Sequence, residues 1–444
     1  MKNKGEKMKV GFISLGCSKN LVDTEMAIGL FKKENFEIVT EPKEAEILVI
    51  NTCGFIESAK QEAINTILEM AEYKQTGKCK YLIAMGCLVQ RYKKELTKLL
   101  PEVDLFLSLD EYEGMWEKIG QLVKSDFNKN ITLCYEDRVI STGNKTAYLK
   151  IAEGCSNNCT YCAIPYIRGP YISRKLESVL EEAKNLSKQG IEEIIVIAQD
   201  TTKYGCDLYG EPKLAELLQK LSEIKGIKWI RFLYAYPESI TEELIKVVAE
   251  NDKICKYFDI PIQHISDSVL KRMNRKTTGK RIMEIVENIR NKIPDVILRT
   301  TLIVGFPGEK DDDFKKLYEF VKETKFDKLG VFEYSKEEGT PAARLKDTVH
   351  WKTKRFRYNK IMELQQEISK NNLNNKLNKR VTALIDGITT DRKYYIARTY
   401  MDVPDMDGIV LIKNTSQKKI GDFVDCIITG VKEYDLFAEL IVEK

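Results

Sequence analysis

Three cysteines in the stretch CSNNCTYC, Cys155, Cys159 and Cys162, are spaced C-x3-C-x2-C directly after the apolar run AYLKIA. Thiolates at that spacing can hold three irons of a [4Fe-4S] cluster and leave the fourth open, as a cluster that does chemistry requires. A structural zinc site would want a fourth ligand, and the two histidines, His264 and His350, lie far away in sequence. With 11 cysteines in 444 residues, this spacing is an uncommon accident. A second set, Cys17, Cys53 and Cys87, occurs in SLGCS, INTCG and AMGCL, each at the end of an apolar run and each beside a glycine: Gly16, Gly54 or Gly86. Glycine allows the backbone to come close to a bulky inorganic ligand. Cys79, Cys134, Cys206, Cys255 and Cys426 read as ordinary thiols.

Regular elements must bring these residues together. Residues 8–125 alternate apolar runs (KVGFISL, EILVIN, YLIAM, VDLFLS) with amphipathic stretches over 22–33, 57–73, 90–100 and 112–123, the pattern of a doubly wound α/β domain around a parallel sheet. Parallel strands gather their C-terminal ends at one edge, where such sheets place ligands, so Cys17, Cys53 and Cys87 can converge. Residues 141–375 carry a second α/β region with candidate strands AYLKIA, EIIVIA, KWIRFLYA, YFDIPI, VILRTTLIV and LGVFEY, and helical patterns such as 173–189 and 311–324. Six βα units predict an open partial TIM barrel with its chemistry at the C-terminal strand ends, the face on which Cys155 falls. A charged segment, 353–377, reads as a connecting helix. Residues 378–444 change to short alternating runs broken by Gly, Pro and Asp, which predicts a small all-β barrel.

Composition is that of a folded chain, 43% hydrophobic and 31% charged. No apolar run approaches the ~18 residues of a membrane span, and MKNKGEKMKV lacks the apolar core of a secretory signal. An odd number of cysteines fits the reducing cytoplasm better than a secreted disulfide framework. The net charge of +4 is too small to argue by itself for nucleic acid.

CSNNCTYC resembles the signature of the radical S-adenosylmethionine superfamily, C-x3-C-x-aromatic-C, with Tyr161 as the aromatic residue. From about Lys9 to its end, the chain is similar to the methylthiotransferases of that superfamily, which join a three-cysteine N-terminal domain, a radical barrel and a C-terminal TRAM β-barrel. The resemblance implies two [4Fe-4S] clusters, a catalytic one on Cys155, Cys159 and Cys162 and an auxiliary one on Cys17, Cys53 and Cys87. It implies S-adenosylmethionine as cosubstrate, cleaved by one electron to methionine and a 5'-deoxyadenosyl radical that takes hydrogen from carbon. Sulfur then comes by way of the auxiliary cluster and the methyl group from a second S-adenosylmethionine. The same resemblance suggests S-adenosylmethionine contacts at Tyr161, Gln199, Asp200, Arg299 and Gly305. The last lies in TLIVGFPGE, which departs from the superfamily's G-x-I-x-G-x-x-E turn at Thr301 and by the late Glu309.

The family has a tRNA-modifying branch, acting on an adenosine, and a protein-modifying branch, acting on the β-carbon of an aspartate in the twelfth small-subunit ribosomal protein. SLGCSKNLVDTE and NTCGFIESAK resemble the protein-modifying branch, where the tRNA branch has GCQMN and NTCAVRE forms. From 381 to 444 the sequence carries eight basic and eleven acidic residues, a balance of −3. A tRNA-holding module should be basic, whereas an acidic one suits a basic ribosomal protein. The loop MDVPDMDG, with Asp402, Asp405 and Asp407, is expected to form a recognition surface. Direct nucleic-acid binding is therefore not favoured, and an electron donor such as a flavodoxin or ferredoxin is expected. The alternatives are a tRNA adenosine methylthiotransferase and, from another class, a non-catalytic metal-cluster protein that binds RNA.

Overall fold

The computed structural model describes residues 7–125, 133–143, 145–415 and 417–441. Five parallel strands, β1 (Lys9–Ser14), β2 (Glu37–Val39), β3 (Ile47–Thr52), β4 (Tyr81–Gly86) and β5 (Leu105–Leu107), form one sheet in the order β2-β1-β3-β4-β5. All six residues of the central strand β3 are buried, as expected where helices cover both faces. Leu48 and Ile50 pack on one layer with Ala63, Ile67 and Leu96, while Ile47 and Val49 pack on the other with Leu30, Phe31 and Trp116. The edge strand β2 has no counterpart in the sequence reading, because three residues are too few to show a period. The first helix also starts earlier than the pattern at 22–33 suggested. It spans Ser18–Lys33 and buries Lys19, Asn20, Asp23 and Glu25, polar residues that hide its full length from an apolar-periodicity argument.

After a short hairpin of β7 (Ala152–Glu153) and β8 (Ile172–Ser173), which follows β6 (Thr146–Lys150), come β9 (Glu193–Ile197), β10 (Trp229–Phe232), β11 (Tyr257–Asp259), β12 (Ile297–Val304) and β13 (Lys328–Glu333). The six long-range strands are parallel but fall into two sheets, β6-β9-β10 and β11-β12-β13, joined by the bridge Ile230↔Ile254 and by the Ala235 N–H donating to Asp259 O (2.8 Å). Pro261 lacks the N–H needed to extend β11, which stops at three residues. Alternate residues divide inside from outside: Ile194 and Val196 of β9 face the outer helices, and Ile195 and Ile197 face the barrel interior. The helix Asp311–Thr324 coincides with the sequence expectation, and the connecting helix runs Trp351–Asn374.

Strands β14 (Arg380–Ile388), β15 (Tyr394–Thr399), β16 (Val410–Lys413), β17 (Phe423–Lys432) and β18 (Asp435–Leu440) close a barrel in the order β14-β15-β16-β18-β17. Its seat is the N-terminal end of the open barrel. The first residues of β6, β9, β10 and β13 all reach it: Arg398 Nη2 donates to Thr146 Oγ1 (3.2 Å) and to Glu193 Oε2 (2.9 Å), Trp229 packs edge-on to Phe423, and Lys328 Nζ pairs with Asp402 (2.9 Å).

That seat corrects the reading of MDVPDMDG as a recognition surface. Asp402 is buried and also accepts from Thr399 Oγ1. Asp407 accepts from Tyr257 Oη (2.7 Å) and the Val403 N–H and lies 3.7 Å from Arg299. Only Asp405 of the three is exposed. Two of the charges behind the acidic balance are thus spent inside the molecule, so the solvent-facing surface of this module is closer to neutral than its sequence.

Candidate active site

In the sheet order β2-β1-β3-β4-β5 the chain winds outward in opposite senses from β1 and β3, and ligands bind at that switch point in doubly wound sheets. Cys17 and Cys53 follow these two strands, and Cys87 follows β4 at the start of the helix Cys87–Leu99. The glycines report how tightly the loops meet. A Cβ on Gly16 would lie 2.7 Å from Cys53 Cβ and 2.9 Å from its Sγ, and one on Gly54 would lie 2.8 Å from the Leu88 nitrogen. Burial raises the Cys87 thiol to about 12, with the neighbouring Cys17 and Cys53 adding to the shift. Burial also works to raise Cys17, but the Lys19 ammonium, the Arg168 guanidinium and two backbone N–H groups outweigh it and hold that thiol below its usual value.

The second trio is wound by one compact loop. Gly154 takes φ +69°, and a Cβ there would run into the carbonyl oxygen of Pro170. The Cys155 N–H donates to Gly169 O (3.1 Å) and the Cys162 N–H to Cys159 O (3.1 Å). Burial pushes the Cys162 thiol up to about 12, with Cys159 and Cys155 as neighbours. Burial also raises Cys53 and Cys155, so in each trio two thiols are held above the usual thiol value and a cation would have to displace their protons to bind. Among the described residues no three His, Cys, Asp or Glu side chains are arranged around a single ion. His264 and His350 each use Nδ1 to accept from a backbone N–H two residues on, which leaves Nε2 as the ligand atom either could offer. Among the described residues neither joins the cysteines in a compact zinc-sized group, whereas trios of thiols suit a cubane cluster.

A chain of polar contacts crosses between the trios. Arg168, the last residue of the short helix Ile164–Arg168 after CSNNCTYC, donates to Asn20 Oδ1 (2.7 Å), Asp23 Oδ2 (2.9 Å) and Glu153 Oε1 (2.8 Å), and the Cys87 thiol lies 3.4 Å from Asn20 Oδ1. Lys150 pairs with Asp23 and Glu153. A cavity of about 550 Å³ opens beside this network, lined among others by Asp23, Gln90, Tyr112, Lys150, Glu153 and Arg168.

Four of the five expected S-adenosylmethionine contacts lie at the C-terminal end of the barrel. Tyr161 packs edge-on to Phe306 (6.5 Å between ring centroids). Gln199 and Asp200 follow β9, where Asp200 accepts from Asn157 Nδ2 (2.7 Å) and has Cys155 as a charge neighbour. Gly305, at φ +72°, ends β12 under the side chain of Lys354. Arg299 is the exception. It lies near the opposite end of β12, bound to Asp259 (2.8 Å) and close to Asp407, so it braces the C-terminal module and does not join the cysteines. Four further residues carry no sequence signature. Lys19, Asn20 and Arg168 belong to the polar crossing. Arg275 sits 4.3 Å over the Tyr236 ring, whose phenol neighbours Cys155 and Cys159. Lys19 and Asn20 could have been flagged by their closeness to Cys17, and Arg168 lies in IPYIRGPYISR, a run that resembles a loop typical of the family but whose arginines read equally well as solvated or structural.

Residues 149–321 match the model of the Radical SAM superfamily, 9–108 that of Uncharacterized protein family UPF0004, and 379–441 that of the TRAM domain. The chain is 64% identical over 437 residues to "Ribosomal protein uS12 methylthiotransferase RimO" of Alkaliphilus oremlandii, covering 98% of this chain and 100% of that protein. A protein of the same name from Acetivibrio thermocellus is 50% identical over 450 residues, covering 98% and 99%. Among solved structures, the radical S-adenosylmethionine methyltransferase TsrM of Kitasatospora setae superposes with a TM-score of 0.56 at 11% identity, over 76% of this chain and 77% of that one. The cobalamin-dependent radical enzyme OxsB gives 0.50 at 15%, over 82% and 56%. Those two share the fold. Full-length identity to curated relatives carries the assignment further: the chain belongs to the RimO family of radical S-adenosylmethionine methylthiotransferases.

Proposed function

We propose that this chain inserts a methylthio group at the β-carbon of an aspartate in the twelfth small-subunit ribosomal protein, uS12. The observation that carries the reading is the pair of thiol trios on the two sides of one polar seam, in a chain that aligns end to end with proteins of that name. Its cofactors are two [4Fe-4S] clusters and S-adenosylmethionine. In this reading Cys155, Cys159 and Cys162 hold the catalytic cluster, Cys17, Cys53 and Cys87 hold the auxiliary one, and Tyr161, Gln199, Asp200 and Gly305 border the cosubstrate. Residues 8–125 form the auxiliary-cluster domain, 141–375 the radical barrel with its connecting helix, and 378–444 the TRAM barrel.

When bound, these groups supply one-electron cleavage of S-adenosylmethionine, sulfur delivery and methyl donation. The protein's own part is to position and to exclude. Burial raises the Cys87 and Cys162 thiols, so a cation would have to displace their protons in order to bind. Tyr161, Phe306 and Tyr334 pack edge to face beside the catalytic trio and keep bulk water from it. Electrons come from a flavodoxin- or ferredoxin-like donor, and the cytoplasm keeps the thiols reduced. Direct nucleic-acid binding plays no part.

Anaerobic reconstitution with iron and sulfide tests this. The wild type should take up roughly eight irons per chain, release 5'-deoxyadenosine in the presence of reductant, and add the mass of one methylthio group to purified uS12. Cys155→Ala should lose about half the iron and all cleavage of S-adenosylmethionine. Cys17→Ala should lose the other half of the iron and the transfer of sulfur. Retained cleavage in Cys155→Ala, or a mass gain on tRNA with none on uS12, would overturn the proposal.

A further inference from the structure

Lys19 is buried, with 5% of its surface exposed, yet among the described residues no carboxylate lies within 4 Å of its ammonium. The ammonium rests 3.6 Å from the centre of the Tyr234 ring, and its nearest charged neighbours are the Cys17 thiol and the cation of Arg168. Every other buried cation of the seam has an acid: Lys150 has Asp23 and Glu153, Arg168 has Asp23 and Glu153, and Arg138 has Glu25 and Glu182. A buried ammonium faced by a phenol and a thiol, with no carboxylate, gives up several kcal/mol of hydration, of which a cation–π contact returns about 2. Such a charge persists where an anion arrives later.

Its place fits an arriving substrate. Tyr234 holds φ +62°, a left-handed conformation that a tyrosine adopts only under constraint, just past the C-terminal end of β10. Two residues on, Tyr236 neighbours Cys155 and Cys159, so the short segment 234–236 has Lys19 and the auxiliary trio at one end and the catalytic trio at the other. Cys17 and Tyr234 beside Lys19 are half-buried, so the ammonium sits just below a surface open to solvent. The aligned position in the tRNA-modifying form GCQMN is Met, which carries no charge.

We propose that Lys19 is the specificity-determining residue that receives the carboxylate of the acceptor aspartate, holding its β-carbon between the two thiol trios. The assignment rests on the functional reading above. A charge-assisted hydrogen bond in a site sheltered from water discriminates strongly between a carboxylate and the isosteric amide. Replacing Lys19 with Met removes a buried charge together with its desolvation cost, so the fold should tolerate the change.

The test uses reconstituted holoenzyme and fluorescently labelled uS12 in two forms, one with the acceptor aspartate and one with asparagine there. Wild type should bind the aspartate form roughly tenfold or more tightly. K19M and K19Q should bind both forms alike, K19R should recover part of the preference, and iron content should equal that of wild type in all three. An aspartate preference kept by K19M and K19Q, or iron lost from the auxiliary site in these variants, overturns the assignment, the latter by making Lys19 a counter-ion of the cluster. A wild type that methylthiolates uS12 without preferring aspartate overturns it too. A wild type that leaves uS12 unmodified overturns the functional reading and this assignment together.

Discussion

Single residues set the shape of the catalytic loop. Gly154 shows why: it needs positive φ, and a side chain there would strike the Pro170 carbonyl and lie 2.6 Å from Gly169 O. Gly190 is a built-in comparator, with φ +92° and nothing within 4 Å of an added Cβ. Gly190→Ala should cost only the backbone strain, about 1–3 kcal/mol. Gly154→Ala should add an overpacking cost of about 1–3 kcal/mol and lower the iron bound by the catalytic trio. Urea unfolding of the two apoproteins and iron assays after reconstitution check both parts; equal stabilities and equal iron would count against the clash. At this scale the cysteines stood out in the sequence, Cys155, Cys159 and Cys162 by their spacing and Cys17, Cys53 and Cys87 by their places after apolar runs. The burial of Lys19, Asn20 and Arg168 did not, since a lone polar or charged residue reads as surface until the fold shows it buried.

At the scale of elements, the join between β9 and β15 is an ionic one. Glu193 accepts from Arg231 Nε (2.6 Å) and Arg398 Nη2 (2.9 Å), and Arg231 also donates to Thr399 O and Tyr400 O. Burial works to raise the Glu193 carboxyl, but the two guanidinium groups prevail and hold it near 2. Because the folded value lies below the unfolded one, its contribution is present in full above about pH 4.5 and is lost as pH falls from there through about 2. Stability should therefore drop by about 1.4 kcal/mol per pH unit from this group within that window. Denaturant titrations at pH 5 and pH 3 measure the slope, and Glu193→Gln should flatten it. The element order itself was readable from alternating apolar runs, down to the bounds of Asp311–Thr324. The shortness of β11 and the early start of Ser18–Lys33 were not, because Pro261 and the buried polar residues of that helix disturb the period on which such reading depends.

For the whole molecule, the arrangement of modules changes what the acidic C-terminal segment means. Asp402→Ala leaves Lys328 buried without its partner and should destabilise the protein by about 3–5 kcal/mol, whereas exposed Asp405→Ala should stay within about 0.5 kcal/mol. Equal unfolding midpoints for the two would show that the module is not docked through this pair. A sequence gives the sign of a charge and not its neighbour, which is why these aspartates looked like a surface. The polar crossing at Arg168 has a mechanical consequence as well. Oily surfaces can slide over one another at little cost, but hydrogen bonds tolerate only a few tenths of an ångström before they weaken. Asn20, Asp23 and Glu153 act on Arg168 as dowels act on a machined joint. The spacing between the two cysteine loops is thereby a fixed dimension of the molecule, set by alignment pins and not by an average over loose packing.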